Sequence, residues 1–564
     1  MKFDEFDYRR PSMEVYRKKF ETLVDEFRHS SSVERQHSII EQINALRVEF
    51  SSMFNICHVR HTIDTRDEFY ENEKTFFDQN NPMFESMVHS YYGALMDSPF
   101  RKELEAKWGK QLFVIAELNL KTFSEDIMED LQEENRLVSE YVKLKAGAQI
   151  EFEGKTYNLT ALVPLESGKD RRVRKASQEA HWRFFEEHSE AFEQLYDQLV
   201  KVRHRIARKL GYNNFVELGY DRLLRSDYNA ADVARFRQQV IEHIVPLVNN
   251  LTERQRKRLG LDNMKFYDLA FKFTSGNPKP KGEPKWIVEN ARQMYADLSE
   301  ETKTFFDFMS DNELMDLVNK EGKATGGYCT FIPNQQAPFI FSNFNGTSGD
   351  INVLTHEAGH AFQVYSSRDV KLKEYAWPTY EACEIHSMSM EFFTWPWMHL
   401  FFEEETEKFR FSHMDGALRF LPYGAAVDEF QHFAYENPDA TAAERNQAWR
   451  NIEQKYMPYK DYNGNEFLQS GRFWLQQSHI FSVPFYYIDY ALAQICAFQF
   501  WNKSRQDNDK AWSDYLRLCK AGGSLSFLQL VSLAGLQSPF DNGCLESNVQ
   551  GIQSWLDSVD DRMF

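Results

Sequence analysis

Two histidines and a glutamate stand at a spacing that suits metal-assisted hydrolysis. The segment His356-Glu357-Ala358-Gly359-His360 is an HExxH motif. Residues four apart lie one above the other on a helix face, so both imidazoles can bind one metal ion. Glu357 is rotated by about 100° from His356, where its carboxylate can reach a metal-bound water without binding the metal. Zinc lowers the pKa of such a water toward roughly 7, and Glu357 can then accept its proton.

A catalytic zinc needs a third protein ligand, and three downstream glutamates are candidates. Glu381, Glu384 and Glu391 lie near one face of a predicted helix, among apolar residues. Buried carboxylates are costly unless they pair with cations or a metal, so the alternative interpretation is a buried salt-bridge network. We predict Glu384 as the third ligand, with Glu381 or Glu391 orienting a ligand imidazole. His386 competes as a ligand, but it points about 200° away from Glu384 around the helix.

A third segment, 478–501, carries hydroxyl and imidazole groups. Tyr486 and Tyr490 are four residues apart, with Tyr487 alongside and His479 just before them. Such donors near a metal can stabilise the oxyanion that forms when a carbonyl is attacked. An aromatic stripe at helical spacing is more often core packing, and a single histidine is more often structural. We expect Ser482 and Pro484 to start the helix that carries these tyrosines.

The HExxH segment is predicted to be a helix that directly follows two short strands. The strands are expected at 328–332 and 339–344, and residues 345–350 offer turn and N-cap residues. Apolar residues then recur at helical spacing at Ile351, Leu354, Ala358, Phe362 and Tyr365. An extended peptide could add to 339–344 as to a sheet edge, and we expect Gly346 and Thr347 to end that edge beside the S1 region.

The rest of the chain is predicted to be mostly helical. Successive amphipathic helices are expected from 12 to 145, with connections at 30–32, 80–82 and 98–99, then a hairpin at 149–162 and an exposed loop at 274–285. Together, 25 Gly and 17 Pro make up about 7% of the 564 residues, against a usual share of about 12%. This scarcity of turn formers favours long helices with short connections.

The charge and the cysteines narrow the classes of function. A net charge of −19 argues against nucleic acid as the main partner, because phosphate binding requires clustered positive charge. The six cysteines contain no CxxC pair, so they predict neither a disulfide framework nor a thiolate zinc site. The first residues lack the apolar core of a signal peptide, and the stretch 484–501 contains Asp489 and Gln494, which indicates a buried helix rather than a membrane span. We expect a cytoplasmic protein without a membrane partner.

Three segments in this order resemble a known family. HEAGHAF, the downstream EIHSMSME and the late HIFSVPFYYIDY are similar to the M3 metallopeptidases, and within them to the bacterial oligoendopeptidase F group with its Pz-peptidase-like members. The resemblance implies His356, His360 and Glu384 as ligands of one zinc ion per chain, and Glu357 as general base or acid. It also implies that His479, with Tyr486 and Tyr490, faces the substrate carbonyl, and Tyr487 is the alternative tyrosine.

The resemblance also implies a mainly α fold. The expected shape is a large helical ellipsoid that encloses a deep channel, with a zincin-type HExxH core and a small β-sheet next to the zinc helix. We divide the chain into a mostly helical domain at 1–190, which forms one channel wall, and a catalytic domain at 191–564. The implied activity is zinc-dependent cleavage of internal bonds in short unstructured oligopeptides. A zinc carboxypeptidase of similar fold and a non-catalytic peptide-binding protein are the alternatives.

Overall fold

The described residues fold into a predominantly helical body with two small sheets. The computed structural model describes residues 1–320 and 322–564. The helices of its first half are α1 (Met13–His29), α2 (Val33–Ile63), α3 (Glu68–Met96), α4 (Arg101–Trp108), α5 (Lys110–Lys121), α6 (Met128–Ala146), α7 (Leu159–Glu166), α8 (Arg171–Glu187), α9 (Ser189–Lys209), α10 (Phe215–Arg222), α11 (Ala230–Gln239), α12 (Val245–Arg258), α13 (Pro284–Leu298) and α14 (Glu300–Asp311).

The second half continues in the same way and contains most of the sheet residues. Its helices are α15 (Gly349–Ser366), α16 (Tyr380–Phe393), α17 (His399–Phe402), α18 (Thr406–Glu436), α19 (Ala442–Tyr456), α20 (Glu466–Gln469), α21 (Ser478–Ser482), α22 (Tyr487–Gln506), α23 (Asn508–Ala521), α24 (Phe527–Leu533) and α25 (Cys544–Ser558). The strands are β1 (Ile150–Phe152), β2 (Lys155–Tyr157), β3 (Met315–Val318), β4 (Tyr328–Ile332) and β5 (Ala337–Phe344). The prediction of a mainly α fold is confirmed.

The N-terminal region is helical as predicted, but further breaks at 64–67, 109 and 122–127 were not predicted. Two of the three expected connections separate helices, but the expected break at 80–82 lies inside α3. Pro82 removes one backbone donor from that helix. Buried Phe77 and Phe84 lie on either side of the proline on one face, so packing continues across it. Burial of this face outweighs the local cost of the proline, and the prediction of a connection there is wrong.

Two hydrophobic cores organise the molecule. One is built mainly by α1 to α5, and Leu372 and Tyr375 from the loop after α15 complete it. The Tyr375 hydroxyl donates to the Trp108 carbonyl at 2.6 Å and accepts from the Leu112 amide at 3.0 Å. The second and larger core contains α15, α16 and α22. The N-terminal helices are therefore tied directly to the segment that joins α15 to α16.

The predicted hairpin forms, but it is shorter than expected. β1 and β2 pair antiparallel, with Ile150 opposite Tyr157, around a turn in which Glu153 and Gly154 have positive φ. The range 149–162 extended too far, because α7 begins at Leu159. The Asn158 side chain caps that helix by accepting from the Ala161 amide at 2.8 Å.

The sheet before α15 has the strand order β3-β5-β4. β4 and β5 are the two predicted strands and pair antiparallel, with Thr330 opposite Phe339. β3 was not predicted, and it pairs parallel with β5 on the other side. The prediction that 339–344 forms a sheet edge is therefore wrong, because both sides of β5 are occupied. β4 is the edge strand on the side away from β3.

The predicted HExxH helix is α15, and its glycine allows close contact with α16. A Cβ atom built on Gly359 would lie 2.6 Å from the Ser387 Cα and 2.7 Å from the His386 carbonyl oxygen. These separations are well below ordinary van der Waals contact, which begins at about 3.5 Å. Only glycine therefore allows α16 to approach α15 so closely at this point.

The tyrosine-bearing helix α22 begins later than predicted. Ser482 ends α21, and Phe485 takes a positive φ of 66° that interrupts the helix before Tyr487. The Phe485 amide donates to Gln431 Oε1 at 2.8 Å, and its carbonyl accepts from Arg225 at 2.6 Å. These tertiary contacts hold the turn, so the expectation of a start at Ser482 and Pro484 is wrong.

Within the described part of the chain, no helix has the length and apolar composition needed to cross a bilayer.

Candidate active site

α15 and α16 bring three potential metal ligands to one point. His356 Nε2 lies 3.2 Å from Glu384 Oε2, and His360 Nε2 lies 3.5 Å from the same oxygen. All three donor atoms lie within 4.8 Å of one another. Of the three residues, Glu384 is fully buried and the two histidines are partly buried.

The donor set and its spacing fit a zinc ion. Two imidazole nitrogens and one carboxylate oxygen are a common ligand set for catalytic zinc, with a fourth position left open. Bonds of about 2.0–2.1 Å in a tetrahedron place neighbouring donors roughly 3.3 Å apart. The two histidine–glutamate separations bracket this value. The close approach of α15 and α16 at Gly359 sets that separation.

A hydrogen-bonded chain orients the first ligand. His356 Nδ1 lies 2.7 Å from Glu391 Oε1, so Nδ1 carries the proton and Nε2 is free to bind a metal. Glu391 Oε2 accepts from His413 at 2.6 Å, and Trp395 in turn donates to His413 at 3.1 Å. Burial alone would raise the pKa of Glu391, but the hydrogen bonds from both histidines outweigh it and lower the pKa to about 2. Glu391 therefore stays ionised beside His356.

Glu384 is also held by two hydroxyl groups. Ser387, one turn further along α16, donates to Oε2 at 2.9 Å. The Tyr486 hydroxyl donates to Oε1 at 2.7 Å. Burial raises the pKa of Glu384, but His360 and His356 outweigh it and hold the pKa well below its usual range. Both oxygens thus have fixed partners, and the carboxylate is kept in its charged form.

The other two candidates on α16 lie away from the ligands. Glu381 is buried and accepts from the Tyr228 hydroxyl at 3.1 Å, near the Arg225–Asp489 ion pair. Of the two glutamates considered for orienting a ligand, Glu391 therefore contacts His356 and Glu381 does not. His386 is fully buried on the opposite side, where burial lowers its pKa to about 3. It is not part of the metal-binding group.

The ligands open onto a cavity of about 600 Å³. Glu357, Tyr486 and Tyr490 also line it, together with residues 327–329 and 377–380. Burial raises the pKa of Glu357, because the low-dielectric surroundings disfavour the charged carboxylate. One cavity thus contains the metal-binding group, the Glu357 carboxylate and four phenols, those of Tyr328, Tyr380, Tyr486 and Tyr490.

The predicted tyrosines do not all occupy the same position. Tyr486 and Tyr490 stack with ring centroids 4.8 Å apart and both line the cavity. Tyr486 already donates to Glu384, whereas no such bond to a ligand is described for Tyr490. Tyr487 packs against Phe420 and Tyr423 and is not among the lining residues that the structure describes. As hydroxyl donors into the cavity, the geometry therefore favours Tyr490 and Tyr486 over Tyr487.

His479 stands beside the tyrosines, at the border of a neighbouring cavity. Its ring centroid lies 5.6 Å from that of Tyr486 and 5.8 Å from that of Tyr490. The Tyr423 hydroxyl donates to Gln477 Oε1 at 2.8 Å, so the Gln477 amide nitrogen faces His479 Nδ1, also at 2.8 Å. Nδ1 therefore accepts, and Nε2 carries the proton. Burial lowers the pKa of His479 to about 4, which keeps it neutral at pH 7.

Several residues of the site were not anticipated. His413 on α18 reaches Glu391 only through tertiary contact with α16, and no local spacing in the sequence indicates this. Trp395, just after α16, donates to His413. At the sheet, the cavity is lined by 327–329 at the start of β4. Gly346 and Thr347, which were expected beside the S1 region, are not among the described lining residues.

Models of known families match most of the chain. Residues 3–123 match the peptidase M3 N-terminal domain, and residues 165–550 match peptidase family M3. The structure superimposes on that of Pz peptidase A, solved with an inhibitor, with a TM-score of 0.96 at 60% identity, covering all of both chains.

Two curated relatives are more distant. An oligoendopeptidase F homolog from Lactococcus lactis subsp. lactis is 24% identical over 66% of this chain and 61% of its own length. A group B oligopeptidase, PepB, from Streptococcus agalactiae is 22% identical over the same shares of the two chains. The match therefore spans less than two thirds of these relatives. Because the family model alone matches more than half of the residues, the chain belongs to peptidase family M3.

Proposed function

We propose that the protein is a zinc-dependent endopeptidase that hydrolyses internal bonds of short unstructured peptides. The observation that carries this proposal is the joint placement of His356, His360, Glu384 and Glu357 on one cavity wall. Family membership and the similarity to oligoendopeptidase F homologues support it.

In this proposal His356, His360 and Glu384 hold one zinc ion. When bound, zinc supplies a Lewis acid that polarises the substrate carbonyl and lowers the pKa of water toward roughly 7. The Glu357 carboxylate accepts the proton of the attacking water and later returns it to the amine that leaves. Its position next to the first ligand, on the cavity side of α15, suits that role.

The tyrosines and His479 supply hydrogen-bond donors. We assign Tyr490 to donate its phenol proton to the developing oxyanion. Tyr486 can join it while also steadying Glu384. His479 is neutral with its proton on Nε2, so it can donate without adding a charge. Donors fixed before the reaction stabilise the transition state without further reorganisation.

The substrate is proposed to lie along β4. This strand is one of the two edge strands of the sheet, and 327–329 at its beginning line the cavity. An extended peptide can pair with such an edge through its backbone, which gives affinity with little dependence on side chains. We propose that the helices around this cavity admit short unfolded peptides and exclude folded proteins. We retain the division into a wall domain at 1–190 and a catalytic domain at 191–564 as a proposal.

Mapping the products of a peptide blocked at both ends tests the activity. An N-acetylated, C-amidated decapeptide is incubated with the zinc-loaded protein, and fragments are identified by mass spectrometry. Internal cleavage that stops on chelation and returns with zinc is expected. Release of single residues only from peptides with a free C-terminus would indicate the carboxypeptidase alternative. Zinc-loaded protein that cleaves no peptide would indicate a non-catalytic peptide-binding protein.

A length series tests the confinement of the substrate. Quenched-fluorescent peptides of increasing length should be cleaved with falling kcat/KM, and a folded protein that contains the same cleavage sequence should resist. Equal digestion of the folded protein and the short peptide would refute the enclosed site.

A further inference from the structure

A second cavity of about 520 Å³ adjoins the candidate active site. The two are separated by His479 and the tyrosines: His479 lines the second cavity, while Tyr486 and Tyr490 line the first. The His479 ring contacts both tyrosine rings. A group bound in the second cavity therefore lies within a few side chains of the reaction centre.

The lining of this second cavity is cationic. Lys145, Arg419 and Lys460 contribute to it, and no acidic side chain is among the described lining residues. This contrasts with the chain as a whole, which carries a net charge of −19. Two of the three cations have carboxylate partners behind the wall: Arg419 pairs with Asp415 at 2.8 Å, and Lys460 pairs with Glu453 at 3.3 Å.

Lys145 differs from the other two cations because its described contacts are to neutral atoms. Its Nζ donates to the Gln476 carbonyl at 2.6 Å and to Ser478 Oγ at 2.8 Å. An ammonium group has three donors, so one remains for a ligand. Burial lowers the pKa of Lys145 to about 8, and no anion among the described residues offsets that burial. A partly buried cation next to a cavity without acidic residues is a site for an anion.

We propose that this cavity binds the C-terminal carboxylate of the peptide substrate, with Lys145 as its principal contact. The inference rests on the proposed peptidase function and deepens it. We take the anion to be part of the substrate, because the cavity adjoins the reaction centre at His479. A carboxylate at the end of a short peptide meets this requirement, and its recognition would favour oligopeptides with a free C-terminus over internal segments of longer chains.

Three peptides of identical length and cleavage sequence test the proposal. One ends in a free carboxylate, one in an amide, and one in an amide with glutamate as its last residue. For the zinc-loaded protein we expect kcat/KM to be about tenfold higher for the free acid than for the amide, mostly through KM, as for a charge-assisted hydrogen bond. In Lys145→Gln this ratio should fall toward one, and in Lys145→Arg it should persist. Lys143→Gln, at an exposed position on the same helix, should keep the wild-type ratio.

The acid-to-amide ratios of the wild-type protein and of Lys145→Gln decide between the proposal and its alternatives. An acid-to-amide ratio near one in the wild-type protein overturns the proposal without any variant. A ratio that survives in Lys145→Gln overturns the role of Lys145. If the glutamate amide is cleaved as well as the free acid, the site recognises side-chain carboxylates, and the C-terminal assignment is wrong. Failure to cleave any of the three peptides would instead contradict the proposed function.

Discussion

Replacing Gly359 by alanine should damage the metal site through packing alone. The added Cβ would lie 2.6 Å from the Ser387 Cα, whereas carbon atoms pack at about 3.5–4.0 Å. α15 and α16 must therefore separate by about 1 Å. The histidine–glutamate distances of 3.2 and 3.5 Å would then exceed 4 Å, well beyond the roughly 3.3 Å that tetrahedral zinc requires.

Two energies oppose each other in this variant. Overpacking costs about 1–3 kcal/mol, while alanine favours a helix over glycine by about 1 kcal/mol. The metal-free variant should thus lose about 0–2 kcal/mol of unfolding free energy. Its zinc affinity should fall at least about tenfold, because ligand geometry is disturbed as well as stability.

Two experiments measure these effects separately. Competition with a chromogenic chelator gives the zinc affinity, and urea unfolding of the metal-free protein gives the unfolding free energy. Gly93→Ala is the matched control, since Gly93 lies inside α3 and an added Cβ would meet no atom within 4 Å beyond its chain neighbours and the backbone of its own helix. The control should be neutral or slightly stabilising and should bind zinc normally. If Gly359→Ala binds zinc as tightly as the wild-type protein, the helix contact does not set the ligand geometry.

Two further substitutions separate the roles around the metal-binding group. Tyr490→Phe should lower kcat by about 10²–10³ with zinc content unchanged. Tyr487 lies outside the cavity, so Tyr487→Phe should leave kcat within twofold of wild type. Equal losses in the two variants would contradict the assignment of Tyr490 as the oxyanion donor. Glu391→Gln should weaken zinc binding by about 10–100-fold, measured by chelator competition, because His356 loses its charged partner; unchanged affinity would show that this hydrogen bond does not orient the ligand.

The sequence was most informative where chemistry and helical period coincide. The two histidines of the HExxH motif and Glu384 come together as predicted. Helical spacing places both histidines on one face of α15, and the contact between α15 and α16 brings Glu384 next to them. The strands at 328–332 and 339–344 were also predicted, since β-branched and aromatic residues there lie between turn signals.

The features that were missed depend on tertiary contacts. β3 is short and carries Asp316, so nothing marks it as the neighbour that turns β5 into a central strand. The positive φ of Phe485 is held by Arg225 and Gln431, which are far away in the sequence. The link from His413 to Glu391 likewise joins two helices whose packing no local pattern specifies.

We propose that Glu357 acts as a base beside a zinc ion held by His356, His360 and Glu384. The most direct measurement is the kcat of zinc-loaded Glu357→Gln on a blocked peptide, with the metal content determined in the same sample. We predict one zinc per chain and a loss of about 10²–10⁴ in kcat, because the isosteric amide cannot accept the proton. A variant that holds zinc and retains wild-type kcat would contradict the mechanism.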